Sequence, residues 1–309
     1  MKLNGIHHIT AITGDSQRNV DFYVGVMGLR LVKKSVNQDD PTVYHLFYGD
    51  EHAKPGLDLT FFEYPGAAPG RAGEGMIHRV VWRVGSPAAL DFWSERLAGA
   101  GVETSREGDS LRFADPEGLE HELLVAGVPD EPLIAEHPEV PAEHALQGFH
   151  AARAYASDPE RSRGLLEEGL GFQGSADGWE ARGDERGGLY HYDAPPAERG
   201  IQGAGTVHHI AWNSADEDHE AWRDRVAQSG AHPTQVIDRH YFKSIYFREP
   251  SGVLFELATP SPGFTIDEPL ETLGEKLSIP PRLEELREQI EATVRPLENP
   301  RSAARAHSS

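Results

Sequence analysis

A chain of 309 residues with 38% apolar content is long enough for two ordinary domains and too apolar to be disordered. Its 50 acidic residues against 29 basic ones give a net charge of −21, which repels phosphate backbones and argues against nucleic acid as a partner. There is no cysteine, so disulfides and thiolate ligands are excluded and any metal must be held by His, Asp or Glu. No apolar run approaches the roughly 18 residues of a membrane span, and Met1 opens onto a strand-like segment rather than a signal peptide. The expectation is a cytoplasmic protein with no membrane contact.

Taken in chain order, residues 4–13 (NGIHHITAIT) read as a strand with a His-His pair near its start, followed by strands at 42–48 and 57–63. A second strand-first unit opens at 74–84 (EGMIHRVVWRV). There Ser86-Pro87 starts a helix whose Leu90, Trp93 and Leu97 share one face, Gly101 ends it, and a strand follows at 119–125. Residues 127–145 hold four prolines and read as a linker. A third unit opens at 146–155 (LQGFHAARAY) and a fourth at 205–214 (GTVHHIAWNS). In the fourth, an acidic turn at 215–220 leads into a helix carrying Trp222 and Val226, Gly230 ends it, and strands follow at 241–247 and 253–258. Beyond Pro262 the pattern breaks into an extended arm at 263–282 and an amphipathic helix marked by Leu283, Leu286, Ile290 and Val294. The last ten or so residues are expected to be disordered.

Spacing shows that the four units are related. His7 and His150 are 143 residues apart, and so are Gly28-Leu29 and Gly171-Phe172. His78 and His208 are 130 apart, and Trp93 and Trp222 are 129 apart. Asp115-Pro-Glu-Gly118 answers Glu249-Pro-Ser-Gly252. The reading is a duplicated duplication of a βαβββ module, an α+β chain of four modules forming two open β-barrels. In chain order the units at 4–65 and 74–126 make a first pair within 1–140, and those at 146–196 and 204–260 make a second within 141–262. The arm, helix and tail occupy 263–309.

The second residue of the His pair is His8 in unit one, Arg79 in unit two, Ala151 in unit three and His209 in unit four. Only the outer units keep a histidine there, so one metal site is expected, shared between them. Neighbouring histidines on a strand face opposite ways, so only one of each pair can enter a barrel. A third ligand is Glu256, in the apolar run Gly252-Val-Leu-Phe-Glu-Leu, where an unpaired carboxylate would be costly. The competing reading for Glu256 is a salt bridge to Arg248. Its cousin Glu122 faces Arg79 and is expected to form an ion pair. Counting from Gly56 as from Gly252 places Thr60, not Glu63, opposite Glu256, which favours three ligands. Two imidazoles and one carboxylate leave open positions suited to non-heme Fe(II). If His8 and His209 share a metal, units one and four pack into one barrel, and units two and three into the other.

The chain resembles the vicinal oxygen chelate superfamily (glyoxalases, bleomycin resistance proteins and extradiol dioxygenases) and, within it, the hydroquinone ring-cleaving dioxygenases. The residues that carry this are HHIT at 7–10 followed by Gly14-Asp15, the Gly148-Phe-His150 turn, HHIAW at 208–212, and RHYFKSIYFREPSGVLFE at 239–256. The resemblance implies Fe(II), or in some members Mn(II), bound by His8, His209 and Glu256. It implies roles near the site for Tyr246 and His208 in proton handling, for Arg239 in stabilising negative charge, and for His7 and Thr10 in orienting groups. It further implies a small aromatic substrate, hydroquinone- or catechol-type, cleaved with both atoms of dioxygen incorporated, and a homo-oligomer. Two other readings stay open on sequence: a glyoxalase-like metal-dependent isomerase or lyase, and a binding protein that sequesters an aromatic molecule without chemistry.

Overall fold

The computed structural model describes residues 1–176 and 178–301; the expected disordered tail from 302 onward lies outside the described residues. Four βαβββ modules are present. The first comprises β1 (Leu3–Thr13), a helical segment beginning with α1 (Ser16–Val20), β2 (Arg30–Val36), β3 (Tyr44–Gly49) and β4 (Asp58–Glu63). The second comprises β5 (Ile77–Val84), α2 (Pro87–Gly99), β6 (Thr104–Glu107), β7 (Ser110–Ala114) and β8 (Glu120–Val125). The third has β9 (Phe149–Tyr155), a helical turn at Leu165–Gly169, β10 (Gln173–Gly174), β11 (Trp179–Arg182) and β12 (Gly187–Asp193). The fourth has β13 (Val207–Ser214), α3 (His219–Gln228), β14 (Ile237–Asp238), β15 (Lys243–Arg248) and β16 (Leu254–Ala258).

Local chemistry explains the helices that the sequence made legible. The Ser86 hydroxyl accepts from Ala89 N–H at 3.2 Å, Pro87 takes the first turn, and Ala89, Leu90, Trp93 and Leu97 are buried along one face. In units one and three the helical segments end in π-helical turns: Met27 N–H bonds to Phe22 C=O and Leu170 N–H to Leu165 C=O, both 2.8 Å and five residues apart.

The strands form two eight-stranded sheets. One has the order β14-β15-β16-β13-β1-β4-β3-β2, the other β10-β11-β12-β9-β5-β8-β7-β6. Within a module the first strand runs parallel to the last, and the two modules of a sheet join antiparallel through their first strands. Units one and four therefore share one sheet and units two and three the other, the nested pairing expected from a shared site. The boundary at 140/141 is one of chain order only: each sheet draws one unit from each side of it. β1 lies in the middle of its sheet and packs its outer face against β12. A Cβ on Gly5 would lie 2.5 Å from Gly187 C=O, so the approach at that point needs glycine.

The repeated Asp/Glu-Pro-x-Gly turn has a structural task. Asp115 accepts from the backbone N–H groups of Glu117 and Leu119 at 2.9 and 2.8 Å, and from Tyr23 OH at 2.9 Å. Glu249 accepts from Ser251 and Val253 N–H at 2.9 and 3.0 Å and from Tyr192 OH at 2.8 Å. Each turn thus receives a tyrosine from a module of the other sheet, so both motifs tie the two sheets together.

The C-terminal arm runs alongside β2. Lys33, fully buried, donates to Asp267 at 2.5 Å and to Glu268, and Ser278 N–H bonds to Lys34 C=O. In the final helix (α4, Arg287–Thr293) Ile290 is buried beside Val36 and Ile279, but Leu286 is exposed. The turn before α4 is 3-10 rather than α, and the tighter winding rotates Leu286 out of the expected stripe. No helix among the described residues is long and apolar enough to cross a membrane.

Candidate metal centre

β1 and β13 are neighbours, with His8 opposite Ala211 and Thr10 opposite His209, so the two candidate histidines stand diagonally on one face. Glu256 on β16 pairs with Ala211 and faces the same way. His8 Nε2 lies 3.2 Å from His209 Nε2, Glu256 Oε2 lies 3.2 Å from His8 Nε2, and it lies 3.0 Å from His209 Nε2. All three residues are buried, at 2%, 4% and 0% exposure. Arg248, the competing partner for Glu256, is exposed and bonds to Gly252 C=O instead.

This trio fits a divalent cation. Neither Glu256 oxygen has a hydrogen-bond partner among the described residues, although both imidazoles are within reach; the atoms converge on a common point rather than on each other's protons. Metal–ligand distances of about 2.0–2.2 Å at right angles span an edge of about 3 Å, which is the spacing seen and corresponds to one face of an octahedron. Burial pushes the Glu256 carboxyl up, but the two imidazoles outweigh it and hold it well below the usual carboxylate range. Burial likewise lowers His209 and so favours the neutral imidazole that a metal requires.

The residues behind the ligands fix which nitrogen faces inward. His7 Nε2 is 3.1 Å from Thr259 C=O, so it carries the proton and donates; His7 Nδ1 then accepts from His8 Nδ1–H at 2.9 Å, leaving the lone pair of His8 on Nε2. Burial lowers His7 to about 3, which keeps this arrangement neutral. His208 Nδ1 is 2.8 Å from His209 Nδ1 and allows the same assignment, although His208 itself is exposed.

A pocket opens above His8 and His209, lined by residues from the first and last units, among them Phe47, Phe62, Phe242, Arg239 and Tyr246. Tyr246 on β15 pairs directly with Glu256, and its ring stands edge-on to His209 with centroids 5.8 Å apart. Burial, reinforced by Glu256, pushes its phenol far up, so it keeps its proton. Arg239 lies over the Tyr246 ring at 5.4 Å, but its guanidinium is held by Asp39 through two bonds of 3.0 and 2.9 Å. Thr10 does not line the pocket; its hydroxyl is 2.8 Å from Thr60 Oγ1. Glu63 accepts from Ser16 N–H at the start of α1, away from the ligands.

One pocket residue escaped sequence reading. His45 on β3 lines the cavity, with Nε2 3.0 Å from Thr60 Oγ1, and burial, aided by His8 and His209, lowers its pKa well below the usual histidine value. In the second sheet the counterpart of Glu256 is paired by charge: Glu122 meets Arg79 and Arg112, each at 3.3 Å, the ion pair expected where Arg79 stands in place of the histidine.

The chain matches the Glyoxalase/Bleomycin resistance protein/Dioxygenase superfamily over residues 5–123 and 148–257. It is 43% identical to MhqO of Bacillus subtilis, whose name assigns it provisionally to the ring-cleaving dioxygenases, across 96% of this chain and 97% of that protein. It is 33% identical to a chlorohydroquinone/hydroquinone 1,2-dioxygenase of Sphingobium indicum, across 95% and 96%. A crystal structure of a provisionally named dioxygenase from Bacillus subtilis superposes with a TM-score of 0.90 at 41% identity, covering 96% of this chain and 98% of that one. With modules, sheet order and the matched span in agreement, this chain belongs to the glyoxalase/bleomycin resistance protein/dioxygenase superfamily.

Proposed function

We propose that the chain is an Fe(II)-dependent ring-cleaving dioxygenase, acting on a hydroquinone- or catechol-type aromatic and inserting both atoms of dioxygen. The observation that carries this is the convergence of His8 Nε2, His209 Nε2 and Glu256 Oε2 at the base of an aromatic-lined pocket. The names of the relatives support the same chemistry. A redox-active divalent metal, Fe(II) or else Mn(II), would be held by His8, His209 and Glu256 and would supply Lewis acidity toward a phenol oxygen and a route for electrons between ring and dioxygen.

The protein's own groups do the rest. Phe47, Phe62 and Phe242 shape a slot for a flat ring and exclude water from it. His7 and His208 hold the ligand imidazoles in the Nε2-facing form. Tyr246, protonated and beside His209, is placed to donate to an oxygen of the reacting pair, and His208, at the exposed edge, can pass a proton to solvent. Arg239, fixed by Asp39, adds positive charge to the wall near Tyr246. The decisive assay is oxygen uptake by the Fe(II)-loaded protein with hydroquinone and no added reductant. One dioxygen consumed per ring opened is expected; no uptake with hydroquinone, catechol or their alkylated forms, under either Fe(II) or Mn(II), overturns the proposal.

A further inference from the structure

The pocket has a polar end that the ligands and Tyr246 do not use. On the first unit's wall His45 on β3 is directly opposite Ser35 on β2, so the two side chains share a face. The His45 ring is packed against Phe47 and Phe62, with centroids 3.9 and 4.4 Å away, and its Nε2 is tied to Thr60 Oγ1. These contacts fix the ring, and Nδ1 makes no hydrogen bond among the described residues. Beside it, the Ser35 hydroxyl and the Gln38 side-chain carbonyl are both buried without a hydrogen-bond partner among the described residues, and both residues line the pocket. Gln38 is held in place by its amide, which donates to Arg239 C=O at 2.6 Å.

Unpaired polar atoms in a buried wall are costly, and two such atoms, Ser35 Oγ and Gln38 Oε1, beside the unbonded Nδ1 of a fixed imidazole mark where a polar part of a ligand belongs. We propose that His45, with Ser35 and Gln38 beside it, receives a second hydroxyl of the aromatic substrate and selects rings whose two hydroxyls lie on opposite sides. This rests on the ring-cleaving reading. A ring with adjacent hydroxyls can place both on neighbouring metal positions, leaving the His45 end unpaired. A ring with opposed hydroxyls can bring only one to the metal; the other must point away from it, across the pocket. A site that hydrogen-bonds a hydroxyl discriminates strongly against the analogue that lacks it, because its own buried groups are then left without partners.

The test compares hydroquinone, catechol and phenol, which lacks the second hydroxyl, binding to the Fe(II)-loaded protein without oxygen. The wild type is expected to bind hydroquinone about tenfold or more tightly than phenol, the worth of one hydrogen bond with its buried partner otherwise unpaired. His45→Phe should bring hydroquinone down to the phenol level while leaving phenol affinity and iron content unchanged. His45→Gln, which still offers an amide, should restore part of the preference, and Ser35→Ala should reduce it. A wild-type hydroquinone-to-phenol ratio in His45→Phe overturns the assignment, as does an equal loss of both ligands. Oxygen uptake separates the two claims. Uptake by the wild type together with an unchanged ratio in His45→Phe overturns the His45 assignment alone. No uptake overturns the ring-cleaving reading and the selectivity that rests on it.

Discussion

Thr60 occupies in the first unit the position that Glu256 holds in the fourth. Each lies four residues beyond a glycine with positive φ, Gly56 at +113° and Gly252 at +111°. Each is on the last strand of its module, Thr60 paired with Thr10 and Phe47, Glu256 with Ala211 and Tyr246. A pseudo-twofold site with a carboxylate at both positions would have four protein ligands; with threonine at one, a position stays open. Thr60→Val keeps the shape and removes only the hydroxyl, leaving Thr10 and His45 each short of a partner. Metal content measured after Fe(II) loading should be unchanged, with stability lower by about 1–3 kcal/mol in denaturant unfolding. Loss of the metal would mean that Thr60 belongs to the ligand set.

Tyr246 gives a separate test of the chemistry. Tyr246→Phe deletes one hydroxyl beside His209 and leaves the packing. Turnover should fall by about 10²–10⁴-fold with iron content unaffected. An iron-loaded variant near wild-type rate would reduce the residue to a wall of the pocket.

The second sheet predicts a contrast. Arg79 and Arg112 supply positive charge to Glu122, where the first sheet presents Glu256 to two imidazoles. Arg79→Ala leaves the buried Glu122 with Arg112 alone and should cost about 1–3 kcal/mol in unfolding free energy. Metal content and oxygen uptake should not change. A drop in either would tie the second sheet to the site.

Acid stability should depend on His121. It is fully buried, Trp82 Nε1–H donates to its Nδ1 at 3.0 Å, and Nε2 therefore donates to Tyr23 OH at 2.9 Å. Burial lowers its pKa from 6.5 to about 3. Between those values the unfolded chain binds a proton that the folded one refuses, so this contribution is complete above pH 6.5 and is lost as the pH falls toward 3. The slope is about 1.4 kcal/mol per pH unit. His121→Gln should be less stable than the parent at pH 7, and the gap should narrow as the pH drops to 5. A gap independent of pH would contradict the assignment.

The proposed metal-binding trio is legible in the sequence because a position recurs: His8 and His209 stand at the same place in two modules, and Glu256 stands at a fixed step from a glycine that also recurs as Gly56. His45 could not be found that way. By strand pairing its counterpart in the fourth module is Ser244: His45 is opposite Phe62, two beyond Thr60, and Ser244 is opposite Ala258, two beyond Glu256. No repeat therefore flags it. The Asp39–Arg239 pair joins loops 200 residues apart that have no pattern in common. Periodicity does not delimit the helical segment of unit one, because π-helical winding buries Phe22, Tyr23 and Val24 in succession and erases the 3.6-residue spacing on which it depends.

The claim on which everything else stands is that ligands from both ends of the chain hold one divalent metal. Metal analysis of the wild type, His8→Ala, His209→Ala and Glu256→Gln after anaerobic Fe(II) loading and desalting tests it, with melting temperature followed on the same samples. The wild type should hold close to one iron per chain and melt higher than its metal-free form. Each variant should hold less than about a tenth of that and show no metal-dependent rise, since one lost ligand in a three-ligand set removes most of the affinity. Iron retained by any of the three variants, or a wild type that keeps none, would contradict the account.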